Sequence, residues 1–170
     1  MNPLYDDAVR VFRDVPRTAE LLTAGPVALT RAHLAGHVTA STLVLSHDHA
    51  EVLLTLHPKF SRWVQLGGHL EPGDATLADA ALREAVEESG IPDLVLHPEP
   101  IHFDVHPVGC GGGSAHHDVR YVAVAPEGAV FTVSEESDEL GWFPVGSLPS
   151  PLADATECLI APALAAVRHA

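Results

Sequence analysis

The sequence predicts an α+β fold, an α/β/α sandwich around a mixed β-sheet, and three observations carry that prediction. Residues 38–46 and 51–57 are β-branched and aliphatic, with the polar tetrad His47, Asp48, His49 and Ala50 between them, so they read as two strands of a hairpin. Residues 76–89 open with Thr76 and Asp79 in capping-box spacing and close on Gly90, so they read as a helix. Further strand-like segments follow at 101–108, 118–125 and 130–133.

The remaining elements frame these. Tyr5, Ala8, Val9, Phe12 and Val15 recur at helical spacing behind Asn2 and Pro3, which predicts an opening amphipathic helix. A short second helix is expected over 18–24. Residues 63–66 form an extended piece that runs into Gly67 and Gly68, read as a turn. A last helix is expected from Asp154, kinked or restarted at Pro162.

At 170 residues, 46% apolar and 19% charged, the chain suits one domain with a full core. Asp and Glu total 23 against 9 Lys and Arg, a formal charge of -14, which argues against polymeric nucleic acid and anionic membrane surfaces as partners. The longest apolar run, 158–167, is about half the ~20 residues of a membrane span and contains Pro162. Two aspartates stand where a secretory leader would carry lysines, so a cytoplasmic location is expected. Cys110 and Cys158 are too few for a disulfide framework and are read as free thiols.

The chemistry concentrates in the helix that ends REAVEESG. Glu84, Glu87 and Glu88 stand at i, i+3 and i+4, which puts three carboxylates on one face and predicts that they converge on one point. Leu82, Ala85, Val86 and Ala78 are read as the opposite, buried face. Arg83 offsets only part of the repulsion, and a divalent cation would do the rest. All-oxygen ligation favours Mg2+ or Mn2+ over zinc. Taken alone, a Glu-rich helix is read first as a solvated acidic face.

The upstream turn changes that balance. Together, Gly67-Gly68-His69-Leu70-Glu71-Pro72-Gly73-Asp74 and the helix resemble the Nudix box, G-x5-E-x7-R-E-U-x-E-E-x-G-U, with U aliphatic. Gly68 matches the first glycine, and Arg83, Glu84, Glu87, Glu88, Gly90 and Ile91 match the second half. The sequence departs in three places: Asp74 stands for the box glutamate, eight residues rather than seven separate it from Arg83, and Ala85 is small for its position. With Trp63 before the box and Trp142-Phe143-Pro144 after it, the resemblance covers roughly 39–148.

The resemblance implies a Nudix-type α/β/α sandwich over 37–170, preceded by a helical lid or packing extension over 1–36. It implies metal-dependent hydrolysis of a diphosphate linkage in a nucleoside diphosphate joined to another moiety. Glu87 and Glu88 would be ligands, Glu84 a ligand or metal-bound base, the Gly67 carbonyl a further ligand, and Arg83 the residue that orients the glutamates. The expected partner is a small nucleotide-type substrate; a homodimer is left open.

Twelve histidines are several-fold above ordinary usage. Asp104 and His106 share a face of one strand, and His116-His117-Asp118 opens the next across the glycine loop 109–113, so a hairpin would bring them together. Asp104, His106, His117 and Asp118 are therefore read as a substrate-binding wall in the same cleft as the glutamates, a second metal site or a distal base, against the alternative of strand-end polar groups. One Nudix subgroup has a similar D-x-H and H-x-D arrangement. His69 in the box loop and the acidic residues Glu135, Glu136 and Asp138 are weaker candidates, and Trp63 and Trp142 are read as core residues ahead of base-stacking ones. Two rival functions remain: a non-catalytic Nudix-fold ligand-binding or regulatory module, and a diphosphate isomerase, for which the cysteines are poorly placed.

Overall fold

The computed structural model describes residues 2–59, 61–108, 114–133, 135 and 139–168. Its centre is β1 (His37–Leu45), buried along its whole length, as a continuous run of small and aliphatic residues requires of a strand covered on both faces. β7 (Ala115–Val124) pairs with it in parallel from His37↔His116 to Leu45↔Val124. The other pairings are antiparallel, which makes the sheet mixed. β2 (Glu51–His57) meets β1 beside the hairpin turn, while β4 (Leu66–His69) meets β1 further along, at Thr39 to Thr42. β3 (Arg62–Val64) and β8 (Glu139–Pro144) pair with β2, and β5 (Val95–Leu96) and β6 (His102–Pro107) pair with β7.

Helices cover both faces. α1 (Pro3–Val11), α2 (Pro16–Leu22) and α3 (Leu77–Ser89) pack on one, where Leu4, Ala8, Phe12, Leu22, Leu77, Ala80 and Ala81 meet Val38, Ala40, Val119 and Tyr121. α4 (Asp154–Glu157) and α5 (Ile160–Arg168) lie on the other, where Leu159 and Ala163 meet Leu43, Leu45, Leu54 and Val122. The expected sandwich is the observed one. The N-terminal segment packs into the same core as α3 and joins it by polar contacts: the Leu77 amide donates to Asp7 at 2.8 Å, and the Tyr5 hydroxyl donates to the Leu22 carbonyl at 2.7 Å. Among the described residues, no helix is long and apolar enough to cross a membrane.

Four local expectations are corrected. Residues 130–133 are not a strand, because the Thr132 amide donates to the Ser89 carbonyl at 2.8 Å and so serves the C-terminus of α3 instead of a ladder. Gly67 and Gly68 are not a turn; they lie inside β4, opposite Ser41 and Ala40, where a side chain on Gly67 would strike Ser41. The C-terminal helix restarts as expected, but at Ile160 after α4 ends at Glu157, so that Pro162 sits in the first turn of α5, where a missing amide is tolerated. The strand β8 runs through residues read only as a flanking motif. Trp63 is a core residue, edge-on to Phe143 with ring centroids 4.7 Å apart. Cys158 is a free thiol, while Cys110, the 109–113 loop, Glu136 and Asp138 lie outside the described residues.

Candidate active site

α3 begins at Thr76, whose hydroxyl oxygen accepts from the Asp79 amide at 3.0 Å, and ends at Gly90 in the left-handed conformation. Its buried stripe is Leu77, Ala80, Ala81, Glu84, Ala85 and Ser89, so the apolar face is not the one the sequence suggested. Leu82, Val86 and Ala78 are only partly buried, and Glu84, 9% exposed, lies within the stripe. Gly68 makes this feasible: a Cβ there would sit 2.6 Å from the Glu84 carboxylate, so the bare backbone of β4 leaves the pocket into which Glu84 reaches.

Arg83 is the hub of the site. Its Nε and Nη2 donate to the two oxygens of Asp74, each at 2.9 Å, and Nη2 also donates to the His69 carbonyl at 3.0 Å. Nη1 donates to Glu84 at 3.0 Å and to Glu87 at 3.2 Å. Burial alone would raise the Asp74 carboxyl, but hydrogen bonds from Arg83 and the Glu71 amide outweigh it and hold its pKa below the ordinary value. Hydrogen bonding to Asp74 likewise raises the Arg83 pKa against the effect of burial. Asp74 thus anchors the arginine bidentately despite the shorter side chain and the extra residue in the loop.

Glu88 accepts from the Gly67 amide at 2.9 Å, which ties the last carboxylate to β4. Glu87, with 58% of its side chain exposed, is held only at the rim by Arg83. Glu84 and Glu88 reach β4, and among the described residues the three glutamates do not close to within 4.8 Å of one another as a set. Arg83 draws off Glu84 and Glu87, and the β4 backbone takes Glu88, so the carboxylates are spread along the helix rather than drawn to one point.

A second polar cluster lies on the opposite face of the sheet. Asp104 and Asp118 are directly paired across β6 and β7, as are His106 and His116. Asp118, 4% exposed, accepts from Thr39 at 2.9 Å, Ser41 at 2.7 Å and Arg120 Nε at 2.8 Å. Buried Arg120 also donates to Asp104 at 3.0 Å and to the Ala155 carbonyl of α4 at 2.9 Å. His106 Nδ1 donates to Asp104 at 2.8 Å. Burial would raise Asp104, and His106 and Arg120 together lower it.

The hairpin therefore unites Asp104, His106 and Asp118 as expected, but not His117. Alternation turns His117 to the helical face, opposite Val105, where its Nδ1 meets the Thr18 hydroxyl of α2 at 2.8 Å. The cluster is also not in line with the glutamates: the sheet separates them, and β4 serves both, with Gly67 and Gly68 under α3 and the His69 ring beside His116. Sequence reasoning missed Arg120, which reads as a lone strand arginine until the fold sets it between two aspartates. It also missed His37 and His69 as neighbours of His116. Burial lowers all three imidazoles, His69 to about 4 and His116 to about 3; Arg31 adds to the effect at each, His37 adds to it at His69, and His37, His69 and His106 add to it at His116.

Fold and site together define a class: a mixed-sheet sandwich in which an arginine-anchored helix presents three carboxylates to a glycine-bearing strand. The NUDIX domain model matches residues 36–161. Over 118 residues the chain is 34% identical to the human 8-oxo-dGDP phosphatase NUDT18, and over 117 residues 32% identical to the mouse protein; each match covers 64% of this chain and 33% of the relative. The chain thus spans about a third of the length of these curated relatives. A NUDIX family hydrolase from Clostridium perfringens superposes with a TM-score of 0.61 at 25% identity, over 78% of this chain and 97% of that one. A C. elegans Ap4A hydrolase superposes with a TM-score of 0.66 at 18% identity, over 78% and 98% respectively, which shows the shared fold. The chain belongs to the Nudix family.

Proposed function

We propose that this protein is a divalent-cation-dependent hydrolase that cleaves a diphosphate linkage in a small nucleotide-type substrate. The observation that carries the reading is the Asp74–Arg83 anchor, which holds Glu84 and Glu87 by one guanidinium while Glu88 is fixed to β4. A solvated acidic helix face has no use for a buried glutamate lodged over a glycine. The donor set, three carboxylates and the Gly67 carbonyl, is hard and oxygen-only, which suits Mg2+ or Mn2+; Gly67, Glu84, Glu87 and Glu88 would hold the ion once side-chain rotation draws the carboxylates together. Bound there, the ion supplies positive charge to phosphate oxygens and acidifies a coordinated water.

The chain's own residues do the rest. Arg83 fixes the carboxylate positions, and Glu84, in its sheltered pocket, is the group proposed to accept the proton of the attacking water. The sheet separates the two clusters, but among the described strands β4 pairs only with β1, so a substrate whose diphosphate lies at α3 would reach the second cluster by passing round the free edge of β4. There Asp104 fixes the half-buried His106 ring through Nδ1, which leaves Nε2 to meet a sugar or base. Asp118 and Arg120 position Asp104, and His117 holds α2 to β7. The likeness to 8-oxo-dGDP phosphatases supports a nucleotide class of substrate.

The test is a panel of nucleoside diphosphate-linked compounds incubated with Mg2+ or Mn2+, read as release of nucleoside monophosphate or phosphate. Cation-dependent release from at least one class is expected. Binding of nucleotides without release from any of them would transfer the chain to the ligand-binding modules.

A further inference from the structure

Three histidine rings outside the carboxylate site meet at one end of the sheet. The β1–β7 pairing sets His37 directly against His116, and the β1–β4 pairing sets His69 against Thr39, one same-face step away. Gly36 permits this closeness, since a Cβ there would lie 2.6 Å from the Ala115 carbonyl oxygen. The ring centroids are 5.1 Å apart for His37 and His69, 4.8 Å for His37 and His116, and 5.3 Å for His69 and His116. One ring nitrogen from each lies within 4.8 Å of the others.

A second, independent observation concerns His37 alone. It is 6% exposed, and neither ring nitrogen has a hydrogen-bond partner. Buried polar atoms are nearly always satisfied, because leaving one unpaired forfeits its hydration with no return. Stacked on His69 and edge-on to His116, with Arg31 and His33 also acting on it, the His37 ring sets its one lone pair among two further imidazoles, a nitrogen-donor set that a dication can join.

We infer that His37, His69 and His116 form a second metal site, built for a transition-metal dication of the zinc class and separate from the carboxylates of α3. Neutral imidazoles are borderline-soft nitrogen donors, suited to Zn2+, Co2+ or Ni2+ and poorly suited to Mg2+. Zinc–nitrogen bonds of about 2.0–2.1 Å in a tetrahedron need donors about 3.3 Å apart, so side-chain rotation has to close at most about 1.5 Å. The three strands supply rigid anchors for that closure. Three ligands would leave one tetrahedral position open, and the His106 ring, with Nδ1 held by Asp104, lies 5.5 Å from that of His116.

Arg31 opposes the ion. Its guanidinium lies 2.9 Å from His69 Nδ1, and a guanidinium can only donate, so that nitrogen's lone pair is committed to Arg31. Metal binding must release this contact, which costs little structure because Arg31 is exposed. Arg31 is thus a competitor for His69, and its removal should tighten the site.

The experiment uses the full chain, stripped of metal by chelator and then kept in excess Mg2+, so that oxygen-ligand sites are filled. Co2+ is titrated with the visible ligand-field spectrum as readout, followed by displacement with Zn2+. One equivalent of four-coordinate Co2+ is expected, displaced by Zn2+. His69→Gln and His116→Gln should each weaken binding by about 10- to 100-fold or more; Arg31→Ala should tighten it several-fold; Glu88→Gln should leave the spectrum unchanged. His69→Gln and His116→Gln carry the test even where a change at buried His37 blocks folding. Absence of stoichiometric Co2+ or Zn2+ in the wild type, or binding that survives both histidine variants, or binding lost in Glu88→Gln, would overturn the site.

Discussion

Replacing Asp74 with Asn keeps its shape and removes its charge, so it probes the anchor on which the carboxylate geometry depends. In the native chain one Asp74 oxygen accepts from Arg83 Nε, and the other accepts from Arg83 Nη2 and, at 2.7 Å, from the Glu71 amide. An Asn carbonyl can serve the doubly used position, but its amide then faces the Nε–H, donor against donor. Hydrogen bonds to charged groups contribute about 1.5–3 kcal/mol each, and breaking a fully buried pair costs about 3–5 kcal/mol. Arg83 has 21% of its side chain exposed and keeps Glu84, Glu87 and the His69 carbonyl, so the expected loss is smaller, about 2–3 kcal/mol. For a domain of this size that lowers Tm by about 4–12 °C.

The same variant has a pH signature. The folded Asp74 pKa is below its unfolded value, so its contribution is fully present above the unfolded pKa of about 3.9 and is lost as pH falls through the folded pKa. Asn does not titrate there. The stability gap between wild type and Asp74→Asn should therefore be constant near neutrality and narrow below about pH 4. Thermal and urea unfolding across pH 3–7 measure it. Equal Tm values at pH 7, or a gap that persists undiminished into acid, would refute the anchor.

Gly68→Ala sets a Cβ against the flexible end of Glu84, so it should cut turnover about 100-fold or more while shifting Tm by only a few degrees; equal loss of folding and activity would deny Glu84 its pocket. His106→Ala should raise KM or change substrate preference with little loss of thermal stability, and strong destabilisation with unchanged kinetics would make His106 a structural strand-end residue. Thr18→Val leaves the buried His117 Nδ1 without its partner and should cost about 1–3 kcal/mol, measured by urea unfolding, with kcat unchanged; an unaltered midpoint would mean that α2 is not held through this bond.

How legible all this was depends on whether a residue's role is set locally. The cap at Thr76 and the terminator Gly90 are local features, and each is found where the spacing placed it; the i, i+3, i+4 spacing put the glutamates on one helix but not on one point. Strand existence in the first hairpin is likewise written in β-branched runs. What was hidden depends on partners distant in the chain. Glu84 looks like one surface carboxylate of three until β4 brings Gly68 beneath it. The 130–133 segment has strand-like residues, yet its amide is claimed by a helix end 43 residues earlier, Thr132 to Ser89. His116, His117 and Asp118 read as one motif, whereas the pleat sends the middle one to the other face. The histidine triad is invisible locally, since its members come from three strands.

The measurement that bears most directly on the carboxylate site is the cation dependence of turnover in Glu87→Gln and Glu88→Gln beside the wild type, with circular dichroism as the check on folding. With a diphosphate-linked nucleotide as substrate, wild-type hydrolysis should rise from nothing to saturation as Mg2+ or Mn2+ is added. Loss of one charged ligand removes several kcal/mol of transition-state stabilisation, so each variant should lose turnover by about 100-fold or more while keeping its folded spectrum. Wild-type activity that persists in excess chelator, together with undiminished activity in both variants, would contradict the assignment of hydrolysis to these glutamates.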